Sequence, residues 1–142
     1  MYSSQFPIIV DADALIALVD QDDAHSQQAL ALAKQLQEIE APLLYPATTI
    51  VEAVTTLQRK LNKPALVAQL VAGIAAHHFL VETIDDELLN RAAALFKPYG
   101  SKQNTLFDAI VATVATKHKA QAIFSFDDWY AKQGLMLVSD ML

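Results

Sequence analysis

The chain has no cysteine, and among its 142 residues only three are glycine and five proline. Without thiols there can be no disulfide scaffold, no cysteine-ligated zinc and no cysteine nucleophile. That absence fits a reducing compartment. Scarce glycine beside abundant alanine favours helix over loop-rich structure. Long apolar runs are missing too; the longest fall far short of the ~18 residues that span a bilayer. Residues 1–7 carry no basic residue ahead of an apolar stretch, so no targeting pattern is read there. The expectation is a cytoplasmic protein with no membrane partner. Cations are few: 10 Lys and Arg against 16 Asp and Glu, a net charge of -6. That balance argues against bulk electrostatic binding of nucleic acid.

What is present is a core. Hydrophobic residues make up 54 % of the sequence and charged ones 18 %, which excludes intrinsic disorder. The length suits a single domain spanning 1–142. No internal repeat, low-complexity segment or linker is visible. Short apolar runs stand at residues 8–10, 43–45, 79–81, 122–124 and 135–138. They are too short for helices and do not alternate, as in buried parallel strands. Helical patterns separate them. Asp23 heads 24–40, Thr48 or Thr49 begins a helix through Leu61, and Pro64 opens one to about His77. Asp85 heads 86–97, Asn104 or Thr105 begins a helix through Lys117, and Gly134 closes a short helix at 128–132. Strands alternating with helices predict a three-layer α/β/α sandwich around a mostly parallel sheet of about five strands.

In open α/β sheets, ligands bind outside the carboxyl ends of the strands. Asp11 follows the first apolar run and Asp127 comes three residues after the fourth. Glu52 lies early in the helix after the second run, and Asp108 early in the helix before the fourth. Topology alone leaves open which edge Asp108 faces. If all four face one cleft, an all-oxygen ligand set suits Mg2+ or Mn2+. Without a cation, such carboxylates would repel one another. Plainer roles remain open. Asp11 and Asp127 can cap helices, and Glu52 and Asp108 can complement helix dipoles. Asp13 and Asp128 read as capping or turn residues, and Asp20, Asp22 and Asp23 as an exposed turn.

The same residues carry a resemblance. The stretch from Ile9 to Leu18 looks like the opening motif of PIN-domain ribonucleases, and Asp20 to His25 resembles its continuation. Thr48 to Glu52 is similar to that family's helix with a lone glutamate. Thr105 to Ala112 resembles its helix start, and Phe124 to Asp127 its last acidic motif. In length the chain resembles the VapC-type toxin branch. The resemblance implies that Asp11, Glu52, Asp108 and Asp127 bind metal and cleave RNA by metal-activated water, leaving a 5′-phosphate and a 3′-hydroxyl. It implies supporting hydroxyls at Thr105 and Ser125. It also implies a homodimer and a small antitoxin partner. Two positions depart from the family pattern: Ala12 stands in place of a hydroxyl residue, and Trp129 in place of a second acid.

Of the sparse cations, Lys97 and Lys102, with Asn104, are the candidate phosphate contacts. The histidines read as non-ligands: His77 and His78 point about 100° apart on a helix. Leu66, Leu70 and Ile74 offer either core packing or an interface. Other classes fit less well. A haloacid dehalogenase-like phosphatase would use Asp11 as nucleophile and Asp13 as acid, but leaves Glu52 and Asp108 unexplained. A receiver domain lacks its phospho-accepting Asp after the third run. A non-catalytic PIN-like module would make the four acids incidental.

Overall fold

Ile8, Ile9 and Val10 form the first strand, β1 (Ile8–Val10), and are 0 % exposed because strands flank them on both sides. The computed structural model describes residues 5–142; residues 1–4 of the amino-terminal segment read for targeting lie outside them. The other strands are β2 (Leu43–Pro46), β3 (Val81–Glu82) and β4 (Ala122–Phe124), all parallel, in the order β3-β2-β1-β4. The sheet therefore has four strands rather than about five. The fifth expected run, residues 135–138, meets β4 only through an Ile123–Leu137 bridge. Its last residue, Val138, instead starts a terminal helical turn.

The helices are α1 (Ala12–Val19), α2 (Ser26–Glu38), α3 (Ala47–Thr55), α4 (Pro64–Ala75), α5 (Asp86–Leu95), α6 (Leu106–Lys117), α7 (Trp129–Lys132) and α8 (Val138–Met141). Helix α1, which Asp11 caps, is not among the helical patterns of the sequence, because its apolar side chains continue the apolar run of β1 without a break. Helix α3 passes into a wider π turn, Thr56–Lys60, as far as the expected helix end. Strand β3 begins two residues later than the apolar run at 79–81, since Phe79 packs into the core ahead of the ladder.

Side-chain alternation along each strand divides the core in two. Ile8, Val10, Ala122 and Phe124 face the layer of Leu15, Leu36 and Leu57. Ile9, Leu44 and Ile123 face Leu88, Val111, Val114 and Tyr130. Helix α6 lies between the sheet and α5, with Ala109–Ala115 entirely buried. Of the three residues weighed for an interface on α4, Leu70 is core, Leu66 is half-buried and Ile74 is exposed. Among the described residues, no helix is long and apolar enough to cross a membrane.

The acidic turn after α1 is only partly exposed. Asp20 is 4 % exposed and receives Lys63 Nζ at 2.6 Å, and Asp22 receives the same ammonium at 2.8 Å. The Lys63 hydrogen bond holds the Asp20 carboxyl below its ordinary range.

Scarce glycine leaves a mark on the helix ends. Glu40, Asn62, His77 and Lys119 carry φ of 49–57° just after helical segments, where glycine is the usual occupant. A side chain in that left-handed region costs about 1–2 kcal/mol. Glu40→Gly is expected to stabilise the protein by about 0.5–1 kcal/mol, read as a higher urea midpoint. An unchanged or lower midpoint would show that the strain is offset locally.

Candidate active site at the strand switch point

Strand order reverses beside β1: β2 and β3 lie on one side, and β4 is added on the other. Such a switch point opens a crevice at the carboxyl ends of the flanking strands. Asp11 leaves β1 there, with its backbone N–H bonded to Phe124 O at 3.0 Å, and caps α1 as it turns away. Ser125, Phe126 and Asp127 leave β4 at the same edge.

Asp11 is 4 % exposed. Its Oδ1 accepts from Ala12 N–H at 2.7 Å and its Oδ2 from the Tyr130 hydroxyl at 2.7 Å. Burial, then the charge of Asp13, pushes the Asp11 carboxyl well above its usual range; Asp108 adds to this and the Tyr130 bond opposes it. Asp13 is tied across the chain. Ser125 Oγ donates to it at 3.0 Å, Phe126 N–H at 2.8 Å and Ala14 N–H at 2.8 Å. Burial still raises its carboxyl, with Asp127 contributing.

Asp108 reaches the same crevice from α6, which settles the edge that topology left open. Thr105 N–H donates to its Oδ2 at 2.9 Å, and Tyr130 Oη stands 3.4 Å from its Oδ1. Burial raises its carboxyl and the charge of Asp127 raises it further. Asp127 accepts from Trp129 N–H at 2.9 Å and from Asn104 Nδ2 at 3.1 Å. Glu52 approaches from α3. Burial, then the charges of Asp108 and Asp13, lift its carboxyl to about 7.

The structure thus brings Asp11, Glu52 and Asp127 each into electrostatic range of Asp108, and each also into range of Asp13. Asp128 is exposed and caps nothing with its side chain. Ser125 sits inside the cluster, whereas exposed Thr105 reaches Asp108 through its backbone N–H. Asn104 is engaged with Asp127, while Lys97 and Lys102 are exposed on the loop before α6. Sequence reasoning missed Tyr130. It is 0 % exposed and looks like a core aromatic, and only its hydroxyl separates it from phenylalanine.

Among the described residues no lysine or arginine forms an ion pair with these acids. The ion pairs among the described residues lie elsewhere, Lys63 with Asp20 and Asp22, and Lys117 and His118 with Glu82. The donor set is all oxygen, crowded and negative, which fits a hard divalent cation. Among the described residues no three such side chains close on an ion by themselves.

Two outcomes follow from this geometry. A carboxyl raised on folding stabilises the protein below its unfolded value, and that stability is lost as pH rises through the folded value. In EDTA, the protein is expected to lose stability between about pH 4.5 and about pH 7 through Glu52. Glu52→Gln removes much of that slope and stabilises the metal-free protein at pH 7.5 by on the order of 2 kcal/mol after solvent screening. Parallel pH profiles of thermal midpoint for the two proteins would refute this. Tyr130→Phe is expected to weaken Mn2+ binding about 10-fold in calorimetry. Equal affinity would leave the phenol a packing role only.

Known proteins share this frame. The solved Mycobacterium tuberculosis VapC20, a sarcin-ricin loop cleaving toxin, matches with a TM-score of 0.74 at 23 % identity, over 91 % of this chain and 96 % of that one. A toxin-antitoxin complex from Klebsiella pneumoniae matches with a TM-score of 0.53 at 19 % identity, over 85 % of this chain and 87 % of that one. At these identities the likeness is one of fold. Comparison with curated proteins found no match. A family model described as the PIN domain matches residues 8–134, from β1 past α7 and through every acid of the crevice. The chain belongs to the PIN domain family.

Proposed function

We propose that the chain is a divalent-metal-dependent endoribonuclease and the toxin of a type II toxin-antitoxin pair. The observation that carries this reading is the convergence of Asp11, Glu52, Asp108 and Asp127 at the switch point with no cation to offset them. Family membership supports it, as does likeness of fold to a toxin that cleaves the sarcin-ricin loop.

Asp11, Glu52, Asp108 and Asp127 would hold Mg2+ or Mn2+. Bound there, the ion supplies positive charge for the scissile phosphate and lowers the pKa of a water. The chain's own groups set the geometry. Ala12 N–H and the Tyr130 hydroxyl fix both oxygens of Asp11. Thr105 N–H fixes Asp108, and Asn104 links the start of α6 to Asp127. Hydrolysis would leave a 5′-phosphate and a 3′-hydroxyl. A small antitoxin, a homodimer and a cytoplasmic setting belong to the same proposal.

The test is cleavage of RNA in Mg2+ or Mn2+ by the wild-type protein, Asp11→Asn and Asp108→Asn. Each substitution is expected to lower the rate by about 100-fold or more, and EDTA to abolish it. Hydrolysis of p-nitrophenyl phosphate with a trapped aspartyl phosphate at Asp11 would replace the nuclease by a phosphatase. A protein that neither cleaves RNA nor binds metal would be a non-catalytic module.

A further inference from the structure

A second cleft adjoins the acids. It has a volume of about 120 Å³ and is lined by Phe96, Lys97, Ser101, Asn104, Trp129 and Gln133, among others. Asn104 belongs to both places, since its amide reaches Asp127 at 3.1 Å while its side chain borders the cleft. Trp129 is anchored in the same way, with its backbone N–H bonded to Asp127 Oδ1 at 2.9 Å. Its indole is half-buried and packs edge-on to Tyr130, with ring centroids 5.2 Å apart at 72°. The lining mixes apolar residues, Leu95, Phe96, Ala109 and Trp129, with polar ones, Lys97, Ser101 and Gln133. Lys97 makes no ion pair among the described residues.

We infer that this cleft is a subsite for one unpaired nucleobase of the RNA, stacked on Trp129 beside the acids that receive the phosphate. The inference rests on the ribonuclease reading of the site. A base has two apolar faces and a polar edge, and the cleft's lining offers both an aromatic and apolar surface and polar groups. Its size admits one flat ring system and no duplex. Bases are open to stacking of this kind only where the strand is unpaired. Lys97, which lines the cleft and makes no ion pair among the described residues, is available to the backbone of the same nucleotide.

Trp129 is the only tryptophan, so the intact protein reports on its own cleft. In Mg2+, the wild-type protein is titrated with a short phosphorothioate oligoribonucleotide that resists hydrolysis, and with the same backbone lacking bases. Binding is followed by anisotropy of a label on the oligonucleotide, and stacking by Trp129 emission. The expected result is quenched emission with the base-bearing strand and about 5- to 150-fold weaker binding without bases. Trp129→Ala should raise KM for RNA by a similar factor with a smaller change in kcat, and Trp129→Phe should restore most of it. Unchanged emission at saturation, equal affinity for both strands, or no binding of either would overturn the subsite. If wild-type protein still cleaves RNA in those cases, the nuclease reading stands; loss of cleavage itself would be the failure of that reading instead.

Discussion

A carboxylate buried among other carboxylates is the constraint around which this protein is arranged. Asp11 is 4 % exposed, and the charged groups that act on it, Asp13 and Asp108, bear the same sign. An ion in such a place is tolerated only where hydrogen-bond donors replace water. The donors come from separate parts of the chain. Ala12 supplies one from the start of α1, and Tyr130 supplies another from α7. Ser125 and Phe126, at the end of β4, hold Asp13, and Thr105 and Asn104 hold the acids next to α6. The crevice therefore draws together segments more than 100 residues apart in sequence, such as Ser125 and Asp13. Its geometry forms only when the parallel sheet has formed.

The same constraint changes the meaning of a net charge of -6. Part of the acidic excess lies in positions with ordinary explanations. Asp85 caps α5 through Leu88 N–H, Asp20 is paired with Lys63, and Glu82 with Lys117. Five acids, Asp11, Asp13, Glu52, Asp108 and Asp127, gather instead at one edge of the sheet, and the paired lysines take other partners. The field at the crevice is thus built to attract cations, and a bound cation inverts the local sign that a phosphate would meet. An acidic protein can on these terms be a nucleic-acid enzyme, provided that its contact with the backbone is small and passes through that edge.

Much of this was legible in the sequence, for a physical reason. Asp11 ends an apolar strand, and Glu52 and Asp108 interrupt apolar helix faces; a charge in such surroundings is conspicuous because burying it is costly. The strands at 8–10 and 122–124 could be placed because the short runs are bounded by turn residues. What escaped depends on contacts across the chain. Asp13 read as a local turn residue, yet two of its partners are Ser125 and Phe126. Tyr130 carries no signal, since a buried phenol and a buried phenyl ring share one apolar pattern. Asp20 read as exposed because Asp22 and Asp23 beside it look like a solvated turn; its burial is decided by Lys63, which lies 43 residues away.

The hydrogen bonds that make the acids affordable also limit what they can do alone. Ala12 and Tyr130 each occupy one oxygen of Asp11, and Asp127 is held through both of its oxygens as well. Each oxygen keeps a lone pair for a ligand, but its direction is set by the donor on the other side. Among the described residues no three such side chains form a closed group by themselves. On the proposed reading, the remaining ligand positions fall to water and to phosphate oxygens of the substrate. Ion and RNA would then each raise the other's affinity by the same factor, because linkage between two binding equilibria is reciprocal. A crevice completed in this way would favour the joint complex over either ligand by itself, and the donors that allowed Asp11 to be buried would orient its share of it.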